Sequence, residues 1–267
     1  MRRTSTLNFK GGVGKTSMTV NVGHYLASQG KRVLIIDGDR QGNATTVLLR
    51  TKVRPAITLT HVLKEEKELT DAIYEAANVP DLPQFTRGNL YLIPSDFSLD
   101  KAVIHLKETP AANEALRDQL DNLEGQIDIV LFDHAGAYTQ VMYALLLASQ
   151  DMLIPCELEP FSVDGIGDII TKLKGELRRH IIKNAGIIPY NTDYRRDMTA
   201  SYLQELRENF GDLILPEIRT DSTVSNAQDD NLTVFEYDQR RKRKSQAAQD
   251  YKRLGDYLLV QGETANR

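Results

Sequence analysis

Short apolar runs rich in branched residues alternate with longer amphipathic stretches along the chain. The runs at residues 6–9, 33–36, 90–93, 127–132, 152–156 and 185–188 read as strands buried on both faces. Residues 17–29, 98–123, 138–149, 165–180 and 198–210 read as helices. Strand–helix alternation predicts an α/β fold, a doubly wound and mostly parallel sheet with helices on both faces. Residues 50–87 have weaker periodicity and two prolines near their end, which suggests a peripheral helical insertion. No composition shift marks a boundary, so residues 1–267 are expected to form a single domain. In open sheets of this kind ligands bind beyond the carboxyl ends of the strands. The chemistry is therefore to be sought just after Phe9, Ile36 and Phe132.

Phe9 is followed by Lys10-Gly11-Gly12-Val13-Gly14-Lys15-Thr16-Ser17, which opens the first helix. Strand, glycine loop and helix in that order is the context of a phosphate-binding loop. Glycines let backbone N–H groups turn in around phosphates, and the helix N-terminus adds its positive dipole end. Lys15 is expected to reach the β- and γ-phosphates of ATP, and Thr16 to coordinate Mg2+. Ser17 supplies a second hydroxyl near the α-phosphate. Ile36 is followed by Asp37-Gly38-Asp39-Arg40-Gln41-Gly42-Asn43, and Phe132 by Asp133. An acid at a strand tip, here Asp133, suits water-mediated Mg2+ binding. A carboxylate beside a γ-phosphate can orient the attacking water. Taken alone, the Asp37–Asn43 stretch also reads as a turn with capping carboxylates.

The crowded glycines with Lys10 ahead of them depart from the ordinary pattern, which needs a glycine where Phe9 stands. This deviant form resembles the ParA/MinD group of ATPases. The resemblance implies that Lys10 crosses to the nucleotide of a second subunit, in a homodimer that sandwiches two ATP molecules. It implies that Asp39 positions or activates the water and that Asp37 supports the Mg2+ shell. Arg40 stands where the family usually has proline. His134-Ala135-Gly136 replaces a switch that carries prolines, and His134 reads equally as a γ-phosphate sensor or a loop residue. Asn191, after the strand at 185–188, matches an asparagine that reads adenine, while the residue alone also fits a turn. Residues 155–165 resemble a stretch at the dimer face, and residues 221–228 and 245–251 resemble the ParA tail. The resemblance thus covers nearly the whole chain.

Net charge is -4, which excludes a uniformly basic nucleic-acid binder but not a basic patch. Arg240, Arg241, Lys242, Arg243 and Lys244 form such a patch, and Arg219 is a candidate to join it. Its binding to duplex DNA would be weak, sequence-tolerant and salt-sensitive. Family resemblance implies DNA binding in the ATP state and release when a ParB-like, cargo-bound protein stimulates slow hydrolysis. The alternative is a MinD-like membrane regulator. The tail at 251–260, with Asp256 and Gly255, reads better as a packing helix, so no membrane partner is expected. One cysteine, Cys156, lies in an apolar run and argues against a bridging iron–sulfur cluster. The polar first nine residues are unlike a secretory signal, so a cytoplasmic protein is expected, and the family resemblance implies association with the nucleoid. The phosphate loop begins at residue 10, so sequence-specific repression by this chain alone is not expected.

Overall fold

The computed structural model describes residues 1–50, 55–77, 89–176 and 184–264. One eight-stranded sheet runs in the order β3-β4-β2-β5-β1-β6-β7-β8. Its strands are β1 (Arg2–Thr6), β2 (Val33–Gly38), β3 (Tyr74–Glu75), β4 (Leu90–Ile93), β5 (Ile129–His134), β6 (Asp151–Glu157), β7 (Asn184–Thr192) and β8 (Ile218–Arg219). All pairings are parallel except that of the edge strand β3 with β4. The expected doubly wound sheet is what forms.

Alternation along β2 shows why a continuous apolar run is needed. Val33 and Ile35 pack into a core with Met18, Val22 and Leu26 of α1 (Lys15–Ser28). That core also takes Val234 and Tyr237 of α10 (Val234–Arg241) and Tyr251, Leu254 and Leu258 of α11 (Gln246–Thr264). Leu34 and Ile36 face the opposite way, toward α4 (Leu99–Glu108), α5 (Ala112–Asp121) and α6 (Gln140–Leu147). A third cluster joins β6 to α7 (Ser162–Glu176) and α8 (Thr199–Phe210) through Ile154, Ile166, Ile169 and Leu206. Each side chain's direction follows from the two-residue period of a strand.

Several boundaries differ from the pattern-based expectation. The first strand is Arg2–Thr6 rather than residues 6–9. Buried Arg3 and Ser5 and half-buried Arg2 each have a side-chain partner. Arg2 Nε donates to Asp151 at 2.6 Å, Arg3 pairs with Asp121, and Ser5 bonds Ser149 at 2.6 Å. The stretch 98–123 is two helices, since Pro110 supplies no N–H and breaks the ladder. Within 50–87, α3 (Leu59–Leu63), a 3-10 turn at Leu69–Ala72 and β3 are not peripheral. Leu59, Val62, Leu63 and Leu69 enter the core beneath α4 and α5, and β3 extends the sheet. Residues 51–54 and 78–87 of that stretch, and 177–180 of the predicted helix 165–180, lie outside the described residues.

The tail helix α11 lies against α1, with Tyr251 and Leu254 fully buried. Its apolar face is thus covered by the chain itself. Among the described residues no helix is long and apolar enough to cross a membrane.

Candidate nucleotide site and basic surface

The carboxyl ends of β1, β2 and β5 meet at one point, because Asp37 pairs in register with Asp133, and Thr6 with Asp133. Above them is a cleft of about 460 Å³, lined by the glycine loop, Lys15, Thr16, Ser17, Asp39 and His134 on its sheet side. Asn43, Thr46 and Val47 of α2 (Asn43–Leu49), with Tyr190, Gln228 and Asn231, complete the lining.

The loop's shape is fixed by contacts as well as by glycine. Asn8 Nδ2 donates to the carbonyl of Pro155 at 2.8 Å, and Asn8 Oδ1 accepts from Lys10 N at 2.9 Å. Gly14 has φ +82°, and a Cβ there would lie 2.1 Å from the Tyr190 ring. No side chain fits that position, for backbone and steric reasons alike. Gly12 also has positive φ, while Val13 is anchored in the interior. Lys15 Nζ folds over the loop and donates to Lys10 O at 2.8 Å. Desolvation lowers its pKa, opposed by the charges of Asp133 and Asp39.

Asp133 is fully buried behind Thr16, which lines the cleft, and Thr16 Oγ1 donates to its Oδ2 at 2.7 Å. Its Oδ1 is buried with no hydrogen-bond partner. Burial and the neighbouring charge of Asp37 push its pKa well above the usual carboxylate range. An unpartnered carboxylate oxygen beside a hydroxyl is a hard oxygen donor set that fits Mg2+. Asp37 is held differently. Its Oδ2 accepts from Thr45 N at 2.8 Å and Thr45 Oγ1 at 2.7 Å, and its Oδ1 from Asp39 N at 3.1 Å. Desolvation nevertheless raises its pKa to about 6. Asp37 thus shapes the Asp37–Asn43 turn and supplies negative charge behind Thr16. Asp39 Oδ1 caps Gln41 N at 2.9 Å from a place on the cleft wall.

Arg40 donates to Asp100 at 2.6 Å and lies over the Phe97 ring, 5.4 Å from its centroid. A side-chain tether to α4 thereby stiffens a turn where proline is usual. His134 is a core group. Its Nε2 hydrogen-bonds Ser5 Oγ at 2.8 Å, and burial with the Lys15 charge drives its pKa down to about 3. That arrangement favours a packing role over phosphate sensing.

Lys10 stands at the exposed rim, paired with Glu157 at 3.1 Å and with Glu159. Glu157 also accepts from Asn191 Nδ2 at 3.3 Å, and Thr220 Oγ1 donates to Asn191 Oδ1 at 3.0 Å. Asn191 has φ +56° and is exposed beside the cleft, not on its wall. Cys156 is buried in β6, where desolvation pushes its thiol up to about 11.

The predicted basic run is divided by the fold. Arg240 and Arg241 close α10, Lys242 caps it with φ 50°, and Arg243 and Lys244 lead into α11. All five are exposed. Arg243 donates to Thr223 Oγ1 at 2.6 Å, Arg240 lies 3.9 Å from Asp230, and Arg241 and Arg243 flank the Tyr237 ring. Arg219 makes a two-pronged pair with buried Asp250, at 2.6 and 3.0 Å. It is committed to holding β8 against α11.

Residues 1–185 match the model of a family described as AAA domain. The chain is 30% identical over 244 residues to the chromosome partitioning protein ParA of Caulobacter vibrioides, covering 89% of this chain and 88% of that protein. The chain belongs to the ParA family of ATPases. It is also 27% identical over 259 residues to the sporulation initiation inhibitor protein Soj of Bacillus subtilis, covering 96% and 97% of the two chains. A solved ATP complex of McdA from Cyanothece superposes with a TM-score of 0.79 at 25% identity, covering 97% and 96%. Cobyrinic acid a,c-diamide synthase from Mycobacterium smegmatis, with bound ATP analog and magnesium, shares the fold at TM-score 0.80 and 22% identity, covering 99% and 97%. Membership places this chain among partition and positioning ATPases. Tyr190 and Gln228 line the cleft, and Asn8 and Thr45 brace the loops around it; the motifs gave none of these four a role by itself. Only Asn8, a polar residue within an apolar run, carried a local signal.

Proposed function

We propose that this chain is a MgATP-dependent switch that dimerises around two nucleotides, binds duplex DNA without sequence preference and lets go after hydrolysis. The observation that carries the reading is the unpartnered, buried Asp133 Oδ1 behind Thr16 of the cleft, with Lys10 exposed nearby in the same loop. In this reading Lys15 neutralises the β- and γ-phosphates, and the backbone of Gly11 to Gly14 cradles them with Ser17 at the α-phosphate. Thr16 and Asp133 hold Mg2+, with Asp37 behind them. Asp39 orients the attacking water. Lys10 leaves Glu157 and Glu159 to reach the nucleotide of the second copy, where an added cation offsets γ-phosphate charge. Asn191 contacts adenine. The exposed cations Arg240, Arg241, Lys242, Arg243 and Lys244 meet DNA phosphates. Arg219 supports that surface by holding β8.

A ParB-like or other cargo-bound protein would stimulate slow hydrolysis and release the dimer from the nucleoid. The cargo would be a plasmid, a chromosome region or a protein assembly. Coverage of α11 by α1 favours DNA over a membrane as the matrix. Sedimentation velocity with ATP tests the dimer. Wild type should become dimeric, Lys10→Ala should bind ATP but stay monomeric, and Lys15→Ala should bind no nucleotide. Dimer formation by Lys10→Ala equal to wild type would refute the role of Lys10.

A further inference from the structure

The cleft's outer wall comes from the far end of the chain. Gln228 sits on α9 (Ser222–Asp229), and its Nε2 donates to Ser17 Oγ at 2.5 Å. A glutamine amide nitrogen carries two N–H groups and a hydroxyl takes one of them. A phosphate or ribose oxygen that approaches Ser17 from the Gln228 side comes within hydrogen-bonding range of the amide's second N–H. The Ser17 hydroxyl, which also bonds the Tyr190 phenol, must reorient to donate its proton to such an oxygen.

The same helix holds the basic run at both of its ends. Thr223, in its first turn, accepts from Arg243 at 2.6 Å, and Asp230, just past its last residue, lies 3.9 Å from Arg240. Its N-cap Asp221 accepts from Thr223 N at 2.8 Å and from Ala247 N of α11 at 3.0 Å. On the other side of the run, Val234 N at the start of α10 donates to Asn21 of α1 at 2.8 Å. One short helix with its C-cap thus touches the nucleotide cleft through Gln228 and two cations of the basic run through Thr223 and Asp230.

We propose that α9 couples the two sites, with Gln228 as a nucleotide contact and with Arg243 and Arg240 released toward, or held from, DNA according to how α9 sits. This inference rests on the ATP-gated DNA binding proposed above. Coupling between two binding events is reciprocal, so DNA must raise ATP affinity by the factor by which ATP raises DNA affinity.

The test compares wild type with Gln228→Ala and Gln228→Glu. A fluorescent ATP analogue measures nucleotide affinity with and without saturating random duplex DNA, and DNA affinity is measured with and without ATP. Gln228→Ala should lose roughly three- to tenfold in nucleotide affinity, the range of one hydrogen bond. Gln228→Glu, which loses the donor and sets a carboxylate beside phosphates, should lose more. In both variants the ATP effect on DNA and the DNA effect on ATP should shrink together toward one. A purely structural role for Gln228 would instead make the two substitutions alike. Wild-type nucleotide affinity in both variants, with wild-type coupling, overturns the proposal. A wild-type protein whose DNA affinity ignores nucleotide refutes the DNA switch and the coupling together, and the nucleotide affinities of the variants then decide the Gln228 contact by themselves.

Discussion

Replacing Asp133 by asparagine should make the nucleotide-free protein more stable and its MgATP complex weaker. Asp133 is wholly buried, has one hydrogen bond and leaves Oδ1 without a partner. Burial and the nearby charge of Asp37 hold its pKa well above normal, so the ionised carboxyl is costly to keep in the empty site. Asparagine has the same shape, retains an acceptor for Thr16 and carries no charge. A buried polar group without a partner costs about 1–3 kcal/mol, and more when charged, so the neutral amide should cost the fold less by about 1 kcal/mol or more. Loss of the favourable Asp133 charge near Lys15 trims that gain toward its lower end. For a chain of this size each kcal/mol moves Tm by roughly 2–4 °C. Without ligand, Tm should therefore rise by a few degrees. Wild type at a hundredfold excess of MgATP over its Kd should gain about 2.7 kcal/mol from binding. The variant should gain far less, because one Mg2+ ligand is missing. Thermal melts of both proteins, with and without MgATP, read all four states. A variant that melts lower when empty, yet is stabilised by MgATP as much as wild type, would refute the assignment of Asp133 as the Mg2+ acid.

Other outcomes follow from the same structure. Arg40→Ala removes an exposed ion pair and a ring contact, each worth ~0.5–1 kcal/mol. It should lower kcat severalfold by loosening Asp39 while leaving ATP affinity unchanged, as steady-state kinetics will read; unchanged kcat would make the tether incidental. His24 is buried and neutral, with its pKa lowered to about 4 by desolvation. The unfolded chain takes up that proton first, so His24 should cost the fold about 3 kcal/mol of stability as pH falls from 6.5 to 4. Asp37, raised to about 6, acts in the opposite sense over part of that range. The difference in urea stability between wild type and His24→Gln across pH isolates the histidine, and a pH-independent difference would contradict the shift. Lys242→Ala with Lys244→Ala should reduce the salt slope of DNA binding by about 2 if both touch phosphate. An unchanged slope removes both from the DNA surface.

The parts legible in the sequence were those in which neighbours along the chain cooperate. The phosphate loop is contiguous, and each of its roles belongs to a local residue type. The strand Leu90–Ile93 and the helix ending at Phe210 declare themselves by apolar period alone. The strand Arg2–Thr6 does not, because its polarity is neutralised by Asp121, Ser149 and Asp151, more than a hundred residues away. Two-residue edge strands such as Ile218–Arg219 are too short for any period. The same limit applies at the site. Gly14 was legible as a glycine of the loop, but Tyr190, the ring that forbids a side chain there, arrives from β7. The charge run 240–244 was legible, whereas which of its cations touch α9 or its C-cap depends on Thr223 and Asp230.

The most direct test is the affinity for random-sequence duplex DNA measured without nucleotide, with ADP, with ATP and with a slowly hydrolysed ATP analogue, over a series of salt concentrations. The account predicts tight binding only with ATP or its analogue, falling steeply as salt rises. Binding that is absent in every state, or equal in all of them, would contradict it.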